Sequence, residues 1–285
     1  MPELPEVETI ARGLDQRLRG DSIDSVWLGS HREPLKSSAK EISSALTGTR
    51  IEQVRRVGKH IVFDLQPQSS ENSRRRQHAA PLREGQGRRQ WIVHLGMTGR
   101  MLVCARGEET PKHTHAIASL ASGRELRFVD PRRFGRLSVA EESFTGPGTE
   151  PLTIGGGDFA KLFRGRKSPI KAALLNQRLL HGVGNIYADE SLFRARIGPR
   201  RQAGRLTRAE LDRLHRAVKE ILKEAIKLGG SSVSDYVDAD GREGFFQLQH
   251  RVYLRTGEPC LVCKTPIKRI VLGGRGTHYC PKCQR

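Results

Sequence analysis

The apolar residues near the N-terminus recur at the spacing of an α-helix. Val7, Ile10, Leu14 and Leu18 are three or four residues apart in "EVETIARGLDQRLRG", and Gly20 closes the stretch. Such a stripe covers one face of a helix, and a glycine commonly follows the last turn. The pattern therefore predicts a helix that starts near the N-terminus and ends before Gly20.

The pattern becomes strand-like from about residue 22 to residue 137. Short β-rich runs such as "KHIVFDL", "QWIVHLGM", "RELRFVD" and "GRLSVA" are separated by Gly, Pro and Ser. Several such strands behind a single helix indicate a β-sandwich or barrel. The arginine-rich segment 66–90 interrupts them, and we interpret it as a solvated surface loop, with contact to DNA as the alternative.

A linker, "TGPGTEPLTIGGG", precedes a helical region. "SPIKAALLNQRLL" and "NIYADESLFRARI" are predicted to be helices, and a third begins at the capping box Thr207…Glu210 and ends at Gly229 and Gly230. The predicted fold class is α+β and multidomain. We expect an N-terminal domain over 1–145, a helical domain over 146–249 and a C-terminal zinc domain over 250–285.

Charge narrows the class of partner. The 285 residues carry a net charge of +19, with a pI near 10.4, which points to a polyanion. No apolar run approaches the roughly 20 residues that span a bilayer, and the N-terminus does not resemble a signal peptide. We therefore expect a cytoplasmic, nucleoid-associated chain that is not secreted and binds nucleic acid.

Four of the five cysteines have the spacing of a metal site. Cys260, Cys263, Cys280 and Cys283 form C-x2-C-x16-C-x2-C, whereas Cys104 stands alone in an apolar run. Two such pairs supply the tetrahedral thiolate shell that Zn²⁺ prefers, and four protein ligands leave no open position for catalysis. The pattern predicts one structural zinc.

Three further stretches carry candidate chemistry. "GGRGT" exposes Arg275 at the tip of a predicted hairpin, where it either grips phosphate or is simply solvated. "HGVGN" places Asn185 at a helix N-terminus, a seat for phosphate or an ordinary helix cap. Met97 in "HLGMTGR" and Phe134 in "DPRRFG" are either core residues or apolar wedges that fill the gap left by an extruded base.

The N-terminus "MPELPEVE" allows two interpretations. Pro2 suits the lead-in to a helix, and Glu3, Glu6 and Glu8 suit its positive N-terminal end. Alternatively, removal of Met1 exposes a secondary amine, and such amines form Schiff bases with carbonyl-like carbons.

These motifs occur together and in order, and over essentially its whole length the chain resembles bacterial formamidopyrimidine-DNA glycosylases. The resemblance implies a base-excision-repair enzyme that removes oxidised purines such as 8-oxoguanine and formamidopyrimidines. It further implies an abasic-site lyase that cleaves the strand by β,δ-elimination. A monomer acting on damaged double-stranded DNA, without any membrane, is the expected form.

The resemblance also assigns roles to residues. It implies Pro2 as the nucleophile, Glu3 as the catalytic acid, Glu6 as a supporting carboxylate, and Lys59 and Arg275 as further catalytic residues. The implied DNA contacts are His94, Met97, Arg132, Phe134, Lys171 and Asn185. The stretch from about 231 to 249 resembles the loop that closes over the lesion.

Two alternatives remain at this point. The first is the sister glycosylase for oxidised pyrimidines, of the endonuclease VIII type, which shares Pro2, Glu3 and the zinc hairpin. The second is a non-catalytic zinc-ribbon DNA-binding protein. The sequence "ELPE" and the long "DYVDADGREGFF" loop favour the purine enzyme over the first, and the presence of Pro2, Glu3 and Lys59 counts against the second.

Overall fold

The computed structural model describes residues 1–67, 89–232 and 244–285 and divides them into two compact units. Unit 1 contains 1–2, 7–67 and 89–145, and unit 2 contains 3–6, 146–232 and 244–285. The predicted α+β class is confirmed. Most of the arginine-rich segment 66–90 and of the predicted lesion-capping loop 231–249 lies outside the described residues.

The first helix, α1 (Leu4–Leu18), confirms the apolar stripe. Glu6 lies in its first turn and Arg17 in its last, so both charges complement the helix dipole. Val7, Ile10, Leu14 and Leu18 are buried among the sheet residues of unit 1.

Unit 1 is built on an antiparallel sheet. Its eight described strands follow the order β5-β7-β6-β1-β2-β3-β4-β8. The strands are β1 (Ser22–Leu28), β2 (Thr49–Val57), β3 (His60–Pro67), β4 (Arg89–His94), β5 (Arg100–Ala105), β6 (Thr114–Leu120), β7 (Arg124–Val129) and β8 (Arg136–Ala140). The register places His60 of β3 opposite His94 of β4, so both histidines lie at the same end of the sheet.

A second helix, α2 (Ala39–Leu46), lies in the region where the sequence predicted strands. Ser38 and Glu41 form a capping box at its start, and Ile42, Ala45 and Leu46 are buried. The helix is short, and its apolar positions are too few to stand out from the strand-like runs on either side.

The helices of unit 2 are α3 (Gly156–Phe163), α4 (Ile170–Leu175), α5 (Asn185–Arg194) and α6 (Arg208–Lys227). The capping box of Thr207 and Glu210 is present at the start of α6, as predicted. Leu211, Leu214 and Val218 place the apolar face of α6 in a continuous core with the other helices of the unit. Among the described helices, none combines the length and the hydropathy needed to cross a membrane.

The first predicted helix of this unit ends earlier than expected. α4 stops at Leu175, and the Gln177 amide nitrogen donates to the carbonyls of Leu175 and Val183, at 2.8 Å each. The Gln177 amide oxygen accepts from the amide of Gly182 at 3.0 Å. One side chain thus connects the two turns that lead from α4 into α5.

The C-terminal segment of unit 2 forms the predicted hairpin. Strands β9 (Lys268–Leu272) and β10 (Arg275–Tyr279) pair with Arg275 opposite Leu272. Gly273 and Gly274 form the tip with φ angles of 56° and 73°, which a two-residue turn of this kind requires. Phe193, Val252 and Ile267 pack beside two of the cysteines in a small separate core.

Candidate functional site

The two acidic residues behind Pro2 are buried in unit 2 and held by hydrogen bonds. The Glu3 carboxylate accepts from the amide of Ile186 at 3.1 Å, in the first turn of α5. Glu6 accepts from the amide of Glu3 at 2.7 Å, from that of Ser231 at 2.8 Å and from the Tyr187 hydroxyl. Burial raises the pKa of Glu6, and these donors oppose the rise.

A glycine makes the position of Glu3 possible. A Cβ atom added to Gly184 would lie 2.2 Å from the carboxyl carbon of Glu3, a distance that no side chain tolerates. Because Gly184 precedes the first residue of α5, the carboxylate reaches the amides that a helix leaves unpaired at its N-terminus. The second glycine of "GVGN", Gly184, therefore makes room for the carboxylate of Glu3.

Pro2 itself belongs to unit 1 and is buried. With Met1 attached it has no amide hydrogen, and the first two backbone amides after it, those of Glu3 and Leu4, donate to Glu6 and to the carbonyl of Gly182. The peptide that joins Pro2 and Glu3 is fixed on its Glu3 side by Glu6.

Lys59 and His94 lie together in unit 1. Lys59 is 5% exposed and precedes His60, whose ring centroid lies 4.9 Å from that of His94. Burial, and then the positive charges of His60, Lys59 and Arg136, lower the pKa of His94 to about 4. His94 is therefore neutral at pH 7, with Nδ1 accepting from the amide of Gly96 at 3.0 Å.

The predicted wedge residues are exposed on adjacent loops of unit 1. Met97 is 42% and Phe134 is 53% exposed, and the Arg132 guanidinium lies 4.8 Å from the centre of the Phe134 ring. A Cβ atom on Gly96, whose φ is +62°, would lie 2.5 Å from the carbonyl carbon of Phe134. The two loops can approach this closely only because Gly96 lacks a side chain.

A buried carboxylate shapes the second of these loops. Asp130 is fully buried, and its two oxygens accept from the Thr98 hydroxyl at 2.5 Å and from the Gly135 amide at 2.7 Å. It also accepts from the amide of Arg132 at 3.2 Å. Asp130 therefore connects the loop of Met97 with that of Phe134.

The structure brings Lys171, Asn185 and Arg275 together in unit 2. Lys171 Nζ and Asn185 Nδ2 both donate to the carbonyl of Gly276, at 2.9 Å and 3.0 Å, and Arg275 is the preceding residue. Lys171 is fully buried and also pairs with Asp189 at 2.6 Å. Arg275 is exposed beside the hairpin tip.

The four predicted metal ligands converge. Their sulfur atoms all lie within 4.8 Å of one another, and Sγ–Sγ distances are 3.9 Å for Cys260 and Cys283 and 3.4 Å for Cys263 and Cys280. A zinc ion with Zn–S bonds of about 2.3 Å requires edges of about 3.8 Å between its four thiolates. The cluster fits a tetrahedral zinc.

Three residues that shape these sites were not among the predicted ones. Asp130 opens "DPRRFG", and Tyr187 and Asp189 lie within "NIYADE", so each falls inside a motif that the sequence had already marked. Their partners are remote in sequence: Tyr187 bonds Glu6, and Asp189 accepts from the amide of His278. Only the fold reveals these contacts.

Comparison with known families agrees with this geometry along the whole chain. Residues 1–137 match the formamidopyrimidine-DNA glycosylase N-terminal domain, 148–237 the H2TH domain of the same glycosylase, and 257–285 a zinc finger found in FPG and IleRS. The match to the zinc finger and the convergent thiolates together establish one structural zinc per chain.

Individual relatives are similar over their full length. The formamidopyrimidine-DNA glycosylase of Solibacter usitatus is 44% identical, with 100% of both chains covered. The crystal structure of the MutM (Fpg) protein from Thermus thermophilus has a TM-score of 0.81 at 41% identity, covering 99% of this chain and 98% of that one. A complex of Lactococcus lactis Fpg with DNA containing an abasic site has a TM-score of 0.84 at 32% identity, covering 99% of each.

We predict that zinc supports DNA binding but not the folding of unit 1. Cys280→Ser should reduce bound zinc from about one per chain to near zero, because three thiolates no longer close the coordination sphere. Binding to an abasic-site duplex should be lost, while hydrogen exchange of strands β1–β8 stays slow. Cys104→Ser is the matched control and should retain zinc and affinity. Unchanged zinc content and affinity in Cys280→Ser would contradict the prediction.

We also predict that neutral His94 stabilises the folded chain. The pKa of His94 in the folded chain, about 4, lies below the ordinary value of 6.5. Between pH 4 and pH 6.5 this residue therefore binds a proton more readily in the unfolded state than in the folded state. The stabilisation is complete above pH 6.5 and decreases as the pH falls towards 4. Urea unfolding at several pH values should show a flatter pH dependence for His94→Gln than for the wild type. His31→Gln, which changes an exposed histidine, is the control, and an unaltered slope in His94→Gln would refute the idea.

Proposed function

The chain belongs to the formamidopyrimidine-DNA glycosylase family, and we propose that Pro2 is the nucleophile with which it acts on damaged DNA. It is a base-excision-repair DNA glycosylase for oxidised purines and an abasic-site lyase, and it acts as a monomer on double-stranded DNA. The observation that carries the assignment of Pro2 is positional, because only a proline in second place becomes an N-terminal secondary amine. The cytoplasm, with the nucleoid, is the proposed location.

The chemistry requires a free amine. An α-amine has an ordinary pKa near 7.7–8.0, so a useful neutral fraction exists at pH 7. The Pro2 nitrogen bonds to C1′ of the sugar as the bond from C1′ to the base breaks. The base leaves with the bonding electron pair and takes up the proton that the amine loses. Glu3 gives a proton to O4′, the ring opens, and the nitrogen and C1′ form an iminium.

The iminium then withdraws electrons from the sugar. Loss of a proton from C2′ breaks the C3′–O bond and releases the 3′ phosphate, which is the β-elimination. A second proton loss, from C4′, breaks the C5′–O bond in the δ-elimination. Because the nitrogen of proline carries two carbon substituents, its sugar adduct is necessarily cationic, which suits it to this role.

The hydrogen bonds of Glu3 fix the position from which it is proposed to act as the acid. The Glu3 carboxylate accepts from the amide of Ile186, which lies in the first turn of α5, and the amide of Glu3 donates to the Glu6 carboxylate. Glu6 is thus proposed to support Glu3 by orientation. Lys59, with its buried ammonium next to His60, is proposed to act at the reacting nucleotide with His94 beside it.

The remaining residues are proposed to hold the DNA. Met97, Phe134 and Arg132 present an exposed apolar pair with a guanidinium over one ring, which suits filling the space of an extruded base. Asn185 and Lys171 donate to the carbonyl of Gly276, the residue after Arg275, and Arg275 is proposed to bind a phosphate. Ionic contacts of this kind offset the several kcal/mol that bending the duplex costs.

The division into domains over 1–145, 146–249 and 250–285, with the last two forming one compact unit, is part of the same proposal. The N-terminal domain supplies Pro2, Lys59 and the wedge, and the other two supply the phosphate contacts.

We expect borohydride to trap a covalent complex between the enzyme and abasic-site DNA through Pro2, because it reduces the iminium to a stable amine. Mass spectrometry should place the adduct on the N-terminal peptide without Met1. A chain that retains Met1 has no free amine at Pro2 and should not be trapped, whereas Pro2→Gly keeps a primary amine and some trapping. An adduct on Lys59 or Lys171 with Pro2 unmodified would overturn the assignment.

We expect Glu3→Gln to separate the two activities. Loss of a general acid commonly costs about a hundredfold or more, so excision of 8-oxoguanine should fall by at least that factor. Cleavage of a pre-made abasic site should fall less, since that sugar has already lost its base. Single-turnover rates on the two duplexes measure the difference. Glu8→Gln, which alters an acid of the same segment, is the control, and equal losses on both substrates would argue against the role of Glu3.

A further inference from the structure

Asp189 lies at the centre of a buried polar network that the chemistry above does not use. It is in α5, one turn after Asn185, and its side chain is fully buried. One carboxylate oxygen pairs with Lys171 Nζ at 2.6 Å. The other accepts from the backbone amide of His278 at 2.8 Å and lies 3.2 Å from its ring Nδ1.

These contacts hold strand β10 at successive positions. Asp189 binds the amide of His278, and its partner Lys171 donates to the carbonyl of Gly276. The zinc ligand Cys280 follows two residues after His278. The strand is therefore attached at 276, 278 and 280, and the first attachment is adjacent to Arg275.

The same turn of α5 also receives the acid. Asn185 donates to Gly276 with its side chain, and the next amide, that of Ile186, donates to Glu3. The beginning of the hairpin strand and the carboxylate of Glu3 are thus fixed to two consecutive residues. Burial lowers the pKa of Lys171, the carboxylate of Asp189 opposes that shift, and the positive charge of Arg275 adds to it.

We propose that Asp189 is a positioning residue that, through Lys171 and the backbone of β10, fixes Arg275 in the orientation that grips phosphate. The inference rests on the proposed phosphate contact of Arg275. A charge-assisted hydrogen bond depends on short distance and alignment, so a small displacement of residue 275 is enough to weaken it. Without Asp189, the ammonium of Lys171 would be buried with no counter-charge, which is costly in free energy. We therefore expect Lys171 to leave its place at the Gly276 carbonyl.

The test uses the full-length zinc-loaded chain and a duplex that contains a tetrahydrofuran abasic-site analogue. Because Asp189→Asn alone leaves a buried ammonium uncompensated and can prevent folding, the main variant is Asp189→Asn with Lys171→Gln, which removes both charges together. The matched control is Asp158→Asn with Lys161→Gln, the same two changes in an exposed ion pair of α3. Zinc content and thermal unfolding are measured for each.

Dissociation constants are then measured over a range of salt concentrations. Arg275→Ala is made both in the wild type and in the variant that carries Asp189→Asn and Lys171→Gln. Arg275→Ala should weaken binding about tenfold in the wild type and lower the salt slope by about one. The variant at 171 and 189 should keep its zinc and bind at least tenfold more weakly, with a fall in slope of at least one. Because Lys171 is itself a proposed DNA contact, the effect of Arg275→Ala within this variant is the deciding measurement. Adding Arg275→Ala to it should then change the affinity by less than about threefold, since the contact is already lost.

The possible outcomes separate the two proposals. If Arg275→Ala has no effect in the wild type, the proposed phosphate contact itself is wrong. If Arg275→Ala weakens binding but its effect is equally large in the variant at 171 and 189, Asp189 does not position Arg275. Loss of affinity with an unchanged salt slope would also overturn the inference, because a general weakening of the fold does not remove one ionic contact selectively.

Discussion

The close approach of Glu3 to Gly184 is the constraint on which the site in unit 2 depends. The carboxyl carbon occupies the space that a Cβ atom at residue 184 would need, so any other residue there would displace it. In that position the Glu3 carboxylate accepts a hydrogen bond from the amide of Ile186, which has no partner within the helix. The side chain of Asn185 is then directed to the hairpin, where it binds Gly276. One missing side chain therefore lets a single helix turn hold both an acid and a strand.

Two fully buried cations in the described part of the chain are compensated locally, although the net charge of the sequence is +19. Arg127 is 1% exposed and pairs with Glu125, while its other nitrogens donate to the carbonyls of Glu108 and Glu109. Lys171, which is also buried, forms an ion pair with Asp189. Since unpaired buried charges are costly, this pairing leaves the excess of arginine and lysine largely at the surface. That excess attracts DNA without regard to sequence, and selectivity has to come from the geometry of the site.

Local signals predicted the parts of the fold that local interactions form. The cysteine spacing, the glycine-flanked Arg275 and the capping box of α6 are each contained in a few residues, and each was found. α3 was not predicted: the predicted linker included its first two residues, both glycines, and its burial through Phe159 and Phe163 depends on tertiary contacts. The sequence did not single out Asp189, because its partner His278 lies 89 residues later and no local pattern connects the two. Long-range pairs of this kind leave no trace in periodicity.

The backbone that follows Pro2 is held by hydrogen bonds of the next residues. While Met1 is attached, Pro2 has a fixed φ and no amide hydrogen, so its nitrogen donates no backbone hydrogen bond. Its peptide with Glu3 must be directed by the next residue, whose amide donates to Glu6. Glu6 in turn accepts from Tyr187 and from the Ser231 amide, so its oxygens are held by residues from two separate parts of unit 2. The peptide that follows the proposed nucleophile is therefore held by a buried carboxylate four residues after Pro2, which gives Glu6 a structural role beside the proposed site.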